Sequence, residues 1–253
     1  MIARFSLLLL CGMSIMWCFM PRKLVTSGFF RLQMLVALGL SVLASLTVSQ
    51  LEAGAILLPP AVVTTLCVLL AVLFWIGSVF WRLELRRPGE RIVFVSTIIV
   101  LVIVGAMWDR TPPEGVPGVM NPVAAFSAGL LTGGLVTTML LGHWYLTAPT
   151  MSLEPLERLT LYFGGAGVLR VLVATAALIQ GWSQLGGQSH TLWLVLRWVA
   201  GLIGPLVICA MVLRILKYRN TQSATGVLFA GVVLVFIGEL TAELLRRETG
   251  VPL

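Results

Sequence analysis

The chain has 253 residues, of which 58% are hydrophobic and only 11% are charged. Soluble globular domains carry about 25% charged residues, so this composition excludes an ordinary soluble domain. The formal net charge of +7 would favour nucleic acid as the partner of a soluble protein. Here most basic residues stand at the ends of apolar runs, where they set topology and contact anionic lipid, so we expect no nucleic-acid partner.

Eight long apolar runs, separated by short polar connections, make up most of the chain. Because about 20 apolar residues cross the hydrocarbon core as a helix, each run predicts one membrane span. In chain order the predicted spans are 2–20, 31–48, 55–81, 91–108, 122–148, 160–182, 192–216 and 226–245. The sequence therefore predicts an all-α, polytopic integral membrane protein, with eight transmembrane helices in one bundle and a single domain over residues 1–253.

Basic residues are distributed unequally between the two sets of connections. The connections after the first, third, fifth and seventh spans hold eleven Lys and Arg residues, whereas the opposite side holds four. The positive-inside rule places the more basic connections in the cytoplasm and both termini outside. We expect a multi-pass protein of the inner (cytoplasmic) membrane of a bacterium.

Charged residues inside the spans are the main candidates for a functional site. Such a side chain costs at least about 2.5 kcal/mol to insert, so it normally faces the bundle interior and has a partner. Four residues stand out, namely Arg170 in the sixth span, Arg197 in the seventh, and Glu239 and Glu243 in the eighth. Glu239 and Glu243 are four residues apart and share one helix face.

The depths of these residues predict that they meet in the outer half of the membrane. A rise of about 1.5 Å per residue puts Arg197 about 8 Å below the outer boundary, Glu239 about 9 Å and Glu243 about 3 Å. One interpretation is a structural salt bridge from Arg197 to Glu239 or Glu243. The other is a polar site for a quinone, in which carboxylates exchange protons and arginine holds the ring oxygens. The two interpretations are compatible.

The chain offers little for a metal or a haem. Its four cysteines all stand inside spans, without a Cys-x-x-Cys or a Cys/His cluster, so we expect no metal-ligated or covalent cofactor. His143 ends the fifth span on the predicted cytoplasmic side, whereas His190 lies in an outer connection, so a bis-histidine haem is excluded under this topology. Ligation by His and Met stays open, although we expect no haem. Because histidine side chains can exchange protons near neutral pH, His143 is a further candidate for contact with quinone.

One span carries a helix breaker. Gly204-Pro205 stands near the middle of the seventh span, and Pro205 has no N–H to donate to the helical ladder. A kink is therefore predicted there. Broken helices also line substrate cavities in transporters, but the chain shows no matching break in a symmetric position and no internal repeat.

The pattern resembles a known family of membrane subunits. Eight spans, outer termini, no evident haem ligand pair and Gly238-Glu239 followed by Arg246-Arg247 together look like the membrane anchors of dimethyl sulfoxide and polysulfide reductases. In that family a helical bundle exchanges electrons between quinone and an external iron–sulfur subunit. The resemblance extends over the whole topology, and it implies a quinone role for Glu239.

These observations predict an integral membrane subunit of a respiratory or electron-transfer complex that anchors a redox partner and handles quinone. Its expected partners are the lipid bilayer and other subunits. Because the sequence supplies no cofactor-ligand set, we expect the chain not to be an enzyme alone. Two other functions stay open: a small secondary transporter or ion-translocating protein that uses the Arg and Glu residues, and a purely structural or assembly subunit.

Overall fold

The computed structural model describes residues 2–50, 58–106, 120–148, 150–182 and 188–253, apart from the side chains of residues 50, 188 and 189. Within these ranges every regular element is helical. Eight helices within the described residues are long and apolar enough to cross a membrane, so the protein is a multi-pass membrane protein whose apolar surfaces contact lipid. The prediction of an all-α, eight-span fold is confirmed.

The helices follow one another through short connections. Their bounds are α1 Ile2–Phe19, α2 Ser27–Thr47, α3 Pro60–Arg82, α4 Arg86–Ala106, α5 Met120–Tyr145, α6 Glu154–Gly181, α7 Gln188–Leu196, α8 Gly204–Leu216 and α9 Thr221–Thr249. A π-helical segment, Arg197–Ile203, joins α7 to α8, and together they form the seventh span. Two short 3-10 turns, Arg22–Leu24 and Val48–Gln50, follow α1 and α2.

Five helices begin at least four residues earlier than their apolar runs predict. The helices α2, α4, α6, α7 and α9 start four to six residues before the predicted spans. Capping explains this for α9, because the side chain of Asn220 accepts a hydrogen bond from the Ser223 N–H at 3.0 Å. In α6 a proline, Pro155, occupies the first turn, where its missing N–H costs nothing. Residues 55–57 and 107–108 of the predicted third and fourth spans lie outside the described residues.

The chain divides into two compact units between residues 110 and 111. Unit 1 contains α1 to α4, and unit 2 contains α5 to α9. That residues 1–253 act as one transmembrane domain stays a prediction.

Unit 1 is held together by aromatic side chains between its helices. Trp17 of α1 meets Phe74 of α3 edge-to-face, with ring centroids 6.1 Å apart. Phe30 of α2 stacks on Trp81 of α3 at 4.4 Å. The Trp81 ring lies so close to Gly89 of α4 that a Cβ there would come within 2.8 Å of it. These contacts pack α2 on α3, and α3 on α4, near the end of the unit where α1 and α3 finish.

Within unit 1 the two basic connections lie at the same end. The Arg22 guanidinium, from the connection after α1, lies 4.0 Å from the carboxylate of Glu90 in the first turns of α4. It also sits above the Phe94 ring at 4.9 Å from the centroid, while Arg86 donates to the main-chain oxygen of Arg22. The pairing of these loops agrees with the charge asymmetry in the sequence; which side of a membrane they face stays a prediction.

In unit 2, α9 is the helix against which the others assemble. It packs on α5, on α8, on α7 and on the π-helical segment, while α6 packs on α5 and α8. Most hydroxyls buried in these helices donate to a main-chain oxygen of the preceding turn, as Thr137, Thr160 and Thr241 do. Such polar residues therefore enter the apolar interior without losing hydrogen bonds.

Candidate functional site

Three charged side chains meet inside unit 2. The Glu239 carboxylate of α9 lies between Arg197, whose Nη1 is 2.9 Å from Oε1, and Arg170 of α6. Arg170 donates through Nε to Oε1 and through Nη2 to Oε2, each at 3.3 Å. The side chain of Arg197 is fully buried, that of Arg170 is 3% exposed and that of Glu239 is 12% exposed. We call these three residues the buried cluster.

The predicted pairing of Arg197 with an acid of the last span is thus confirmed, and the acid is Glu239. Glu243 makes its described contacts with its own helix. It accepts from Nε and Nη2 of Arg246 at 2.9 Å, and from Nε of Arg247 at 3.2 Å. Glu239 therefore connects three spans, whereas the described ion pairs of Glu243, one helical turn further on, lie within α9.

Two glycines let Arg197 reach Glu239. A Cβ on Gly238 would lie 2.1 Å from the Cα of Gly201, so the backbones of the π-helical segment and of α9 touch at this point. A Cβ on Gly201 would also come within 2.7 Å of Nη1 of Arg197. Only residues without a side chain allow both the backbone contact and the passage of the guanidinium. Steric contact with Gly201 therefore requires glycine at position 238, directly before Glu239.

The break in the seventh span takes the form of a π-helical segment. The Gly204 N–H bonds to the Val199 oxygen, five residues back, in place of the usual fourth. The irregular stretch begins at Arg197 and ends directly before Gly204-Pro205, where the sequence predicts an interruption. A π-bulge shifts the register of the helix, and such bulges are frequent at functional sites. Here the π-helical segment includes Arg197 and Gly201, both of which contact α9, and it ends before Pro205.

Arg170 has one more partner, from the residues after α9. Its Nη2 donates to the main-chain oxygen of Leu253 at 2.7 Å. The chain leaves α9 at Gly250, which takes the left-handed conformation with a φ of 75°. Val251 and Leu253 then pack with Ala177 of α6 and Leu245 of α9. A Cβ on Gly181 would come within 2.5 Å of Val251. The absence of a side chain at Gly181 therefore makes room for Val251 to pack on α6.

Some donors of the buried cluster have no hydrogen-bond partner in the described part of the chain. Nε and Nη2 of Arg197 and Nη1 of Arg170 are buried and make no hydrogen bond with any described residue. An unpaired donor inside a membrane protein is costly, since lipid offers no acceptor. The arrangement thus offers three N–H-bearing nitrogens beside one carboxylate, a set that fits a ligand with acceptor oxygens.

His143 does not join the buried cluster. It is an exposed residue at the end of α5, and a Cβ on the neighbouring Gly142 would lie 3.0 Å from the Thr225 hydroxyl near the start of α9. Glu239 stands fourteen residues further along α9, which is about 21 Å at the helical rise. Any contact of His143 with quinone would belong to a separate site.

The second histidine lies at the other end of unit 2. His190 Nε2 is 3.1 Å from the Glu248 carboxylate near the end of α9. Thr225, beside the His143 end, and Glu248 are about 35 Å apart along the helix, a span that two ligands of one haem iron cannot bridge. Among the described residues no group of three or more His, Cys, Asp or Glu could hold a metal ion.

One buried polar residue was not among the predicted candidates. Gln33 of α2, in unit 1, is fully buried, and neither atom of its amide has a hydrogen-bond partner among the described residues. The indole N–H groups of Trp17 and Trp81, in the same unit, are also without a described partner. A single neutral amide in an apolar run gives a weak sequence signal, because it could as well face the headgroups. Only the packing shows that it faces inward.

Comparison with protein-family models, curated proteins and solved structures gives no match to this chain. The buried cluster is therefore the basis for a functional assignment, and the resemblance to the reductase anchors stays a prediction.

Proposed function

We propose that this chain is an integral membrane subunit of an electron-transfer complex in a bacterial inner membrane, and that its buried cluster contacts a quinone. The observation that supports the proposal is that three guanidinium nitrogens of Arg170 and Arg197 have no hydrogen-bond partner among the described residues. Quinone oxygens are hydrogen-bond acceptors on an apolar ring, so they complement N–H donors in an apolar surrounding.

In such a site the arginines and Glu239 have different roles. Arg197 and Arg170 hold the ring oxygens through the nitrogens that do not bind Glu239. Glu239, the one carboxylate of the cluster and its most exposed member, accepts protons released on quinol oxidation. The electrons pass to a redox centre of a partner subunit. The chain positions the ligand and moves protons, and it is not an oxidoreductase by itself.

The substitution Arg197→Lys tests the ligand role while keeping the charge. Lysine retains a cation for Glu239 but loses the planar fork, and with it the unpartnered Nε and Nη2 donors. The tagged chain would be purified from its own membranes in mild detergent, and quinone content and co-purifying redox subunits would be measured. We expect normal assembly, with quinone content and turnover by a short-chain quinol reduced at least roughly tenfold, as for a lost buried charged hydrogen bond.

Arg214→Lys serves as the matched control, because Arg214 is an exposed arginine of the same span. It should leave quinone content unchanged. The proposal is abandoned if the parent protein carries no quinone and no redox subunit, or if Arg197→Lys retains the quinone content of the parent.

A structural subunit is the second candidate function. It is favoured by the complete burial of Arg197 and by the backbone contact of Gly201 with Gly238. On this hypothesis the buried cluster fixes the register of three spans, and its unpaired donors bind ordered water. Arg197→Lys would then alter thermal stability without any effect specific to quinone.

A further inference from the structure

A polar cleft lies in unit 2, at the end where α6 and α9 begin. Its volume is about 690 Å³, within the range typical of small-molecule sites. Three stretches line it: residues 150–153 before α6, Glu154 and Glu157 in the first turn of α6, and Leu216 at the end of α8 with Lys217 and Arg219 just after it. None of these residues belongs to the buried cluster, so the cleft is independent of the proposed quinone site.

Opposite charges line the cleft in equal number. Two carboxylates, Glu154 and Glu157, come from α6, and two cations, Lys217 and Arg219, come from the turn between α8 and α9. Glu154 also pairs with Arg158 on the helix surface, whereas Glu157, Lys217 and Arg219 are exposed. Because the charges sum to zero, an anion or a cation alone gains little net attraction. A ligand that carries both signs matches both walls.

We expect the cleft to lie at the level of the lipid headgroups. It is formed by the first turn of α6 and by the residues that end α8, both of which are membrane-spanning helices. Leu153 and Leu216 add apolar surface to the lining of the cleft. A ligand there can place a polar head between the charges and its chains along the apolar helices.

We propose that this cleft binds the headgroup of a zwitterionic aminophospholipid. Lys217 and Arg219 contact the phosphate, for which Arg offers paired N–H donors and Lys a point charge. The lipid ammonium donates to the carboxylates of Glu154 and Glu157. A phosphatidylethanolamine has an ammonium with N–H donors, whereas a phosphatidylcholine has none, and a phosphatidylglycerol lacks the positive charge. The cleft therefore selects the first over the other two.

The test compares lipids retained by the purified full chain. The protein, in mild detergent, would be incubated with equal amounts of dioleoyl phosphatidylethanolamine, phosphatidylcholine and phosphatidylglycerol, and bound lipid would be measured by native mass spectrometry. The parent should retain the ethanolamine lipid preferentially. In the double variant Glu157→Gln, Lys217→Gln, its ratio to the choline lipid should fall roughly twofold to fivefold, because one of the two carboxylates that select the ammonium is lost. The loss of Lys217 weakens the phosphate contact of both lipids alike.

The control variant removes the same pair of charges elsewhere. Lys23→Gln with Glu84→Gln affects two exposed residues of unit 1 and should keep the parent ratio. The proposal is overturned if the parent retains the ethanolamine and choline lipids equally, if phosphatidylglycerol binds best, or if the cleft variant keeps the parent ratio. A parallel incubation with excess free phosphoethanolamine separates the sources. A lipid site should retain the phospholipid, because its chains add apolar contacts that the soluble headgroup lacks, whereas replacement of the lipid by the soluble headgroup in the mass spectrum overturns a site for membrane lipid.

Discussion

At the scale of single residues, the stability of the buried cluster depends more on Glu239 than on either arginine. Glu239 is the common acceptor of two guanidinium groups, so each arginine depends on it, while Glu239 keeps a partner when one arginine is removed. Burying an unpaired charge costs far more than a buried pair contributes. The cost of a substitution here is thus set by the number of charges that it leaves without a partner.

Glu239→Leu should therefore destabilise the protein more than Arg197→Leu. The first variant leaves two buried cations without their acid and should cost about 3 to 5 kcal/mol, whereas the second leaves the Arg170–Glu239 pair intact and should cost less. Thermal unfolding in detergent and the level of protein in the membrane measure the order. Arg214→Leu, at an exposed position of the same span, should change little. A larger loss for Arg197→Leu than for Glu239→Leu would contradict this account of the cluster.

At the scale of elements, the contact between the seventh and eighth spans depends on small residues. Gly201 and Gly238 touch through their backbones, and Gly204 and Gly231 each lie close to a side chain of the facing helix. In membranes, where apolar burial does not drive helix association, such close approach is what brings spans together. The π-helical segment supplies the shift that aligns Gly201 with Gly238 and Arg197 with Glu239.

Gly238→Ala tests this contact directly. Its Cβ would lie 2.1 Å from the Cα of Gly201, so the two spans must separate. We expect a loss of stability of about 1 to 3 kcal/mol, as for overpacking of a core. Gly226→Ala on the same helix has no atom within 4 Å of the new Cβ and should be neutral or slightly stabilising, because alanine favours helix. Equal unfolding temperatures for the two variants would exclude a tight contact at Gly238.

At the scale of the whole molecule, the distribution of charge predicts which connections face the cytoplasm. Within unit 1, Arg22, Arg86 and Glu90 join the connections before α2 and α4. Within unit 2, the cleft joins the connections before α6 and α9. Each unit thus gathers its basic connections at one end, as a positive-inside arrangement requires.

Cysteine labelling tests the predicted orientation. In a background free of the four native cysteines, Glu114→Cys should react with an impermeant thiol reagent added outside intact cells. Pro88→Cys, in the first turn of α4, should react only after the membrane is permeabilised. The reverse pattern would invert the topology and place the phospholipid cleft in the outer leaflet.

Hydropathy and charge were sufficient to predict the class of protein, the number of spans and the residues worth testing. A run of about 20 apolar residues has no stable place in water, and an ion inside such a run must find a partner. Arg170, Arg197 and Glu239 were recognisable for that reason. Helix ends were less predictable, because caps such as Asn220 and first-turn prolines such as Pro155 lie in polar sequence beyond the apolar run.

The partners of each charge were decided only by tertiary structure. Depth along the span placed Glu239 and Glu243 as equal candidates, yet only Glu239 follows the glycine that allows close approach of the facing backbone. Gln33 was overlooked because composition does not show which face of a helix points inward. The opposed charges of the cleft are more than fifty residues apart in sequence and meet through packing of α6 on α8. Such contacts depend on the rotation and register of helices, which hydropathy does not specify.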